Sequence, residues 1–319
     1  MVNESMLAKW KPYVIGMLSY TPLAKRYTIP VTGGTDSGRY CYAVFMRHLS
    51  YAYRAGRVRI PEVVAELGPG DSLGTGLAWL IAGSERYLAF DVRRYATTKR
   101  SLRIFDELVE LFRARAAVPG SDEFPQMKPP LDTREFPNDM LASAQLDRAL
   151  NPSRLAQIRR ALEHVETASS GPISYTVPWD DAADVRPSSV DLVFSQAVME
   201  HVENLDHTYA MSKLWLKPDG MISHQIDFRS HGTSPGWDGY RAYSDLSWRI
   251  VRGRGTYLIN RVPDTGHVDA MRRHGFRIVT YMPFTLEPTV QPGQYAPRFR
   301  SLSPESRQTA GLFVQAVLA

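Results

Sequence analysis

An acid two residues ahead of paired glycines, Glu66-Leu67-Gly68-Pro69-Gly70, is followed 21 positions after Gly70 by a second acid, Asp91. Glycine serves where a backbone turns with positive φ or must let a ligand approach closely. A carboxylate at the end of the next strand can hold a ribose diol through both of its oxygens. Gly74 and Gly76 continue the glycine-rich stretch, but a pyrophosphate-binding loop would need its third glycine at 73, where the chain carries Leu73. Glu66 would also repel a pyrophosphate, so a cationic or zwitterionic ligand suits this loop better.

A second set of residues suits proton transfer: His201, His224, Asp227 and His231. Histidine changes protonation near neutral pH and serves as a general base. In an extended strand His224 and Asp227 point to opposite faces, so both do not reach one ligand. Asp227 and His231 sit where the chain leaves its strand, which favours them, and His224 reads as a packed strand histidine. Trp237, Tyr240, Tyr243 and Trp248 offer rings that could stack on a sugar or a base, although Trp248 and Tyr257 suit a core equally well. The turn-rich stretch 232–239 is the candidate acceptor loop.

Short apolar runs must position these residues. Glu62 to Leu67, Arg86 to Asp91, Ile173 to Val177, Val190 to Ser195, Met221 to Phe228, Arg277 to Met282 and Gly311 to Leu318 each read as a strand. Helical segments lie among them, at Tyr40 to Tyr53, Leu77 to Ile81, Pro152 to Thr167, Leu205 to Leu216 and Val268 to His274. Lys217-Pro218-Asp219-Gly220 stops the fourth of these, and Gly275 the last. Alternating strands and helices predict a mostly parallel sheet covered on both faces. Residues 1–60 form an N-terminal helical extension to a domain over 61–319. Residues of about 95–172 are too many for a direct crossover and read as a helical, Pro-rich insertion capping the sheet's carboxyl edge.

Composition sets outer bounds. The chain has 319 residues, 44% hydrophobic and 22% charged, in the range of an ordinary folded domain. The single cysteine, Cys41, excludes an intrachain disulfide and a cysteine-rich zinc site, and fits a reducing compartment such as a cytosol. No run of about 18 apolar residues suggests a membrane span, and the interrupted N-terminus does not read as a secretory signal. Thirty-eight basic against 33 acidic residues leave +5, a modest excess that makes nucleic acid a secondary candidate.

The glycine loop and Asp91 together resemble the class I S-adenosylmethionine-dependent methyltransferases. Residues 190–220 extend the resemblance through a fourth strand, Glu200-His201-Val202 at the following turn, and Lys217-Pro218-Asp219-Gly220 before the fifth strand, with Asp219 where the family has glycine. The matching core covers roughly 60–95 and 173–319. A narrower likeness, to methyltransferases encoded with bacterial glycan-assembly genes, rests on residues 224–231, Asn260-Arg261 and the Gly275-Phe276 ending.

The resemblance implies a Rossmann-like seven-stranded sheet whose last strand is antiparallel and inserted beside the fifth. It implies S-adenosylmethionine as cofactor and S-adenosylhomocysteine as product. Glu66 would engage the methionyl ammonium directly or through water, Gly68 and Gly70 would pass the methionyl part, and Asp91 would hold the ribose. Asp180 and Asp181 would meet the adenine edge, with Ser195 and Gln196 beside the methionyl group. The expected reaction is O-methylation of a hydroxyl on a sugar, glycan or small molecule, with RNA methylation, protein methylation or a silent cofactor-binding scaffold as alternatives. A hydroxyl acceptor calls for a base among His201, Asp227 and His231, His201 being favoured. Some members hold a divalent ion through E-x-x-E-H and a later histidine. Here Glu200-His201 matches the end and Ala197 replaces the first acid, so no metal is expected.

Overall fold

The computed structural model describes residues 4–21, 34–166, 171–179, 185–254 and 258–319. Seven strands form one sheet: β1 (Val63–Leu67), β2 (Arg86–Phe90), β3 (Ile173–Thr176), β4 (Val190–Gln196), β5 (Leu216–Asp227), β6 (Phe276–Thr285) and β7 (Thr309–Leu318). Their order is β3-β2-β1-β4-β5-β7-β6. The first five are parallel to their neighbours, and β7 lies antiparallel between β5 and β6. This is the predicted Rossmann-like α/β sheet, with all seven strands near their predicted places. The order reverses between β1 and β4, and in such sheets the crevice for a ligand opens there, beyond the carboxyl ends of the strands.

Strand and helix chemistry explains the layers. Even-numbered residues of β4, Leu192 and Phe194, enter a core shared with α2 (Gly38–Arg54), α3 (Gly74–Ala82) and α4 (Thr98–Arg113). Val193 enters a second core with α7 (Leu205–Trp215) and α9 (Asp264–Arg273), as the twofold alternation of a strand requires. Helix α3 is apolar around its whole circumference and is buried throughout, with Trp79 packed edge-on to Phe45 at a centroid separation of 4.7 Å. The hydroxyls of Ser37 and Thr97 cap α2 and α4, and the Asn204 side chain caps α7.

Several segments differ in detail from their sequence reading. Helix α2 does not stand apart as an extension: Cys41, Tyr42, Phe45, Met46 and Leu49 are central to the first core. Lys217–Gly220 do not form a separate turn before β5 but a bulge inside it, since Val190 pairs with Leu216 while Leu192 pairs with Met221. Within the insertion, α4 is an ordinary crossover helix, and α5 (Ser143–Ala149) and α6 (Pro152–Glu163) add to the first core. Its Pro-rich piece does reach the carboxyl edge, where Gln126 accepts a 2.5 Å bond from Arg229 and Lys128 lies over the Phe284 ring. Among the described residues no helix is long and apolar enough to cross a membrane.

Candidate functional site

The first half of the site is the β1–α3 loop. Gly68 (φ +65°) and Gly70 (φ +76°) occupy the left-handed region that a side chain would strain. A Cβ at Gly68 would also come within 2.6 Å of Val198, the residue two places beyond β4. The loop is pinned from a distance by Thr35, whose hydroxyl donates to Pro69 O (2.9 Å) and accepts from Ser72 N (2.9 Å), while Ser72 Oγ donates to Thr35 O (2.6 Å). Nothing in the local sequence pattern pointed to Thr35, because the contact joins residues more than thirty positions apart. Gly76 has a packing role: a Cβ there would strike the Tyr87 ring.

The two acids of this half differ in surroundings. Asp91 stands just past β2, accepts from Val92 N at 2.7 Å and faces the Gly70 amide. Burial pushes its carboxyl up to about 6, and the backbone N–H groups of Arg93, Val92 and Gly70 oppose that rise. Glu66 is fully buried beneath the loop, where it accepts from the Tyr87 hydroxyl and the Gly76 amide. Burial pushes Glu66 up to about 8, against the pull of those two donors. Near neutral pH Glu66 therefore carries its proton for much of the time while no cation faces it.

The strand ends opposite separate the remaining candidates. Ser195 is turned into the second core with its hydroxyl bonded to His224 Nδ1 at 2.8 Å, so that hydroxyl is not offered to the crevice. His224 is the packed strand histidine expected, and burial lowers its pKa to about 3. Gln196, on the other face, is half-buried and donates to Gln225 Oε1 at 3.1 Å. Asp180 and Asp181 lie outside the described residues.

The second half of the site gathers at the ends of β4 and β5. The His201 and His231 rings stand perpendicular with centroids 5.2 Å apart. Burial, then the neighbouring His231, lower His201 to about 4, so its imidazole is neutral at neutral pH and presents a lone pair. Asp227 Oδ2 lies 3.5 Å from His231 Nε2. Arg229 grips the same carboxylate bidentately, Nε to Oδ1 at 2.9 Å and Nη2 to Oδ2 at 2.5 Å. Burial alone would raise Asp227, but the bonds from His231 and Arg229 outweigh it and hold the carboxyl below its usual range. A carboxylate stabilised in this way accepts a proton poorly.

Glu200, which sequence reasoning used only as part of a motif, belongs to this cluster. It is 1% exposed, neither carboxylate oxygen has a hydrogen-bond partner, and burial raises its pKa well above the ordinary value. Its turn is clamped by Asn260, which donates through Nδ2 to Met199 O and Val202 O (2.8 Å each) and through its backbone to Glu200 O at 2.6 Å. Ala197 (φ +54°) and His231 (φ +47°) are both left-handed, an uncommon conformation for residues with side chains and one that clusters at functional sites.

The proposed aromatic platform is mostly core. Tyr240 and Trp248 are buried with Val251, Ile259 and Phe299, and the buried Arg261 guanidinium stacks on Trp248 and Phe299. Tyr243 stacks on Trp248, and Trp237 is engaged by Arg241 and donates to Glu287 O. Tyr257 lies outside the described residues. These rings pack α8 (Asp245–Arg252) against the segment that carries Tyr295 and Phe299, a use that the sequence pattern could not separate from ligand stacking.

No family profile matches the chain, and no curated protein does. Among solved structures, an S-adenosylmethionine-dependent methyltransferase from Mesorhizobium loti is similar at 15% identity and a TM-score of 0.41, over 84% of this chain and 97% of the other. A methyltransferase of the same dependence from Methanosarcina mazei is similar at 12% identity and 0.42, over 82% and 95%. Phosphoethanolamine N-methyltransferase 2 of Haemonchus contortus, in complex with S-adenosylmethionine, is similar at 15% and 0.42, over 95% of this chain and 59% of the other. Likenesses this distant add no argument to the strand order and side-chain geometry of the chain itself.

Proposed function

We propose that the protein is an S-adenosylmethionine-dependent methyltransferase acting on a hydroxyl of a sugar, glycan or small molecule. The observation that carries the reading is the pairing, at the switch point of this strand order, of a positive-φ glycine loop with Asp91, whose carboxylate faces that loop's Gly70 amide. In this reading Asp91 takes the ribose hydroxyls, and the Gly68–Gly70 backbone passes the methionyl chain. Glu66 lies beneath the loop, where an arriving ammonium favours its charged form directly or through water. Gln196 borders the methionyl group. Ser195 contributes its backbone position only.

The sulfonium methyl is already electrophilic, so this chain's task is chiefly to align donor and acceptor. A hydroxyl becomes a competent nucleophile as its proton begins to leave. His201 and His231, at the ends of the two strands beside the loop, are the groups that receive or displace that proton, and Asp227 orients His231. The test is transfer of labelled methyl from S-adenosylmethionine into fractions of a cell extract. Label in a glycan or small-molecule fraction supports the reading, label in RNA or protein reassigns the acceptor, and no label in any fraction favours a silent scaffold.

A further inference from the structure

The geometry points to a divalent transition-metal site formed by Glu200, His201 and His231. One ligand atom from each residue lies within 4.8 Å of the other two, a spacing that a single ion can bridge. The two histidines come from different strand ends, and His201 Nε2 is 4.0 Å from Glu200 Oε1. Glu200 supplies an independent observation. A carboxylate with both oxygens buried and unpartnered is an expensive arrangement, and a cation between it and the imidazoles resolves it. The Asn260 clamp holds the turn that carries this carboxylate.

The donor set names the ion class. Two imidazole nitrogens and one carboxylate oxygen suit zinc, cobalt, manganese or ferrous iron, and they suit magnesium or calcium poorly because those prefer all-oxygen shells. Three protein ligands leave open positions, the arrangement of sites where the ion acts on an incoming oxygen rather than only bracing the fold. Asp227, 3.5 Å behind His231 Nε2, is the carboxylate that fixes that ring's orientation and basicity. Arg229 is the nearby positive charge that opposes a cation, and its charge is matched by its bidentate pair with Asp227. With this site, departing from the sequence-based expectation of no metal, His201 and His231 would hold the ion instead of taking the proton themselves, and the ion would bind the acceptor hydroxyl and lower its pKa. That chemical consequence rests on the methyltransferase reading, whereas the ion binding does not.

The test uses the full chain stripped of metal by chelation. Cobalt(II) should bind at one equivalent and develop the visible absorption of a four- or five-coordinate ion, zinc should displace it, and magnesium should not. Glu200→Gln should fold, because it replaces a buried carboxyl with a neutral group of the same shape, and should weaken cobalt binding ~100-fold, at the upper end of losses seen around metal sites. His231→Ala should do the same, while Asp245→Asn, at an exposed acid elsewhere, should leave binding unchanged. Absence of the cobalt spectrum, or equal affinity in Glu200→Gln, overturns the site. Calorimetry with S-adenosylhomocysteine on the same samples separates the two readings: cobalt binding without it removes the methyltransferase reading alone, and its binding without cobalt removes the metal site alone.

Discussion

The glycine-loop side and the acceptor side of the crevice lie at neighbouring strand ends and are built by different means. On the loop side, most of the work is done by backbone: positive φ at Gly68 and Gly70, and amides turned toward Asp91. One β-α-β unit carries all of it. On the acceptor side, side chains following two strands converge, and Asn260, about sixty positions beyond the turn after β4, clamps that turn. The acids divide differently: burial raises Asp91 and Glu66 on the loop side and Glu200 on the acceptor side, whereas Asp227 is held down by direct contact with His231 and Arg229 despite burial. A site made of backbone geometry constrains residue type at each position, whereas a site made of converging side chains constrains the fold that brings them together.

The largest expected effect would break this comparison on the acceptor side. His201→Ala should lower methyl transfer by ~10²-fold or more, the scale for positioned acid–base groups, with affinity for S-adenosylhomocysteine unchanged. Equal losses of affinity and turnover would mean that the two sides are one binding surface. On the loop side, Asp91→Ala should weaken S-adenosylhomocysteine binding by roughly 1.5–3 kcal/mol, the value of hydrogen bonds to a charged group. Titration should sharpen the point. Asp91 is raised to about 6 in the unliganded protein, so it accepts fully above that pH and takes up a proton below it. Through Asp91, affinity should therefore fall by about tenfold between pH 7 and pH 5, and Asp91→Asn should remove that part of the slope, leaving the part that Glu66 contributes as it titrates at higher pH.

The smallest effect concerns stability. Glu66 has its folded pKa raised from 4.5 to about 8, so its contribution to stability is fully present below 4.5 and is lost as pH rises through 8. Glu66→Gln escapes that loss. Its melting temperature relative to the parent should rise between pH 6 and pH 9, and a constant difference would show that Glu66 is not desolvated as the structure has it.

The contrast also explains what could be read in advance. All seven strands announced themselves as short apolar runs between Gly, Pro or Ser. The loop was legible because glycines at 68 and 70 answer a backbone requirement. By contrast, Ser195 could not be told from a site residue until its hydrogen bond to His224 appeared. The burial of Tyr240 and Trp248 around Arg261, and the convergence of Glu200 on two histidines, depend on strand order and long-range packing. Helix α1 (Glu4–Leu18) was missed because Pro12 interrupts its pattern. It nonetheless packs Gly16 against the Ile250 and Val251 carbonyls of α8, a contact too close for any side chain at 16.

The central claim is that the glycine loop and Asp91 form a site for S-adenosylmethionine and its product. Calorimetry of the full chain with S-adenosylhomocysteine, with NAD run in parallel, tests it most directly. Binding of S-adenosylhomocysteine with a dissociation constant of ~1 μM, about −8 kcal/mol, and no heat with NAD is the predicted result. Heat with NAD alone, or with neither ligand, would contradict it.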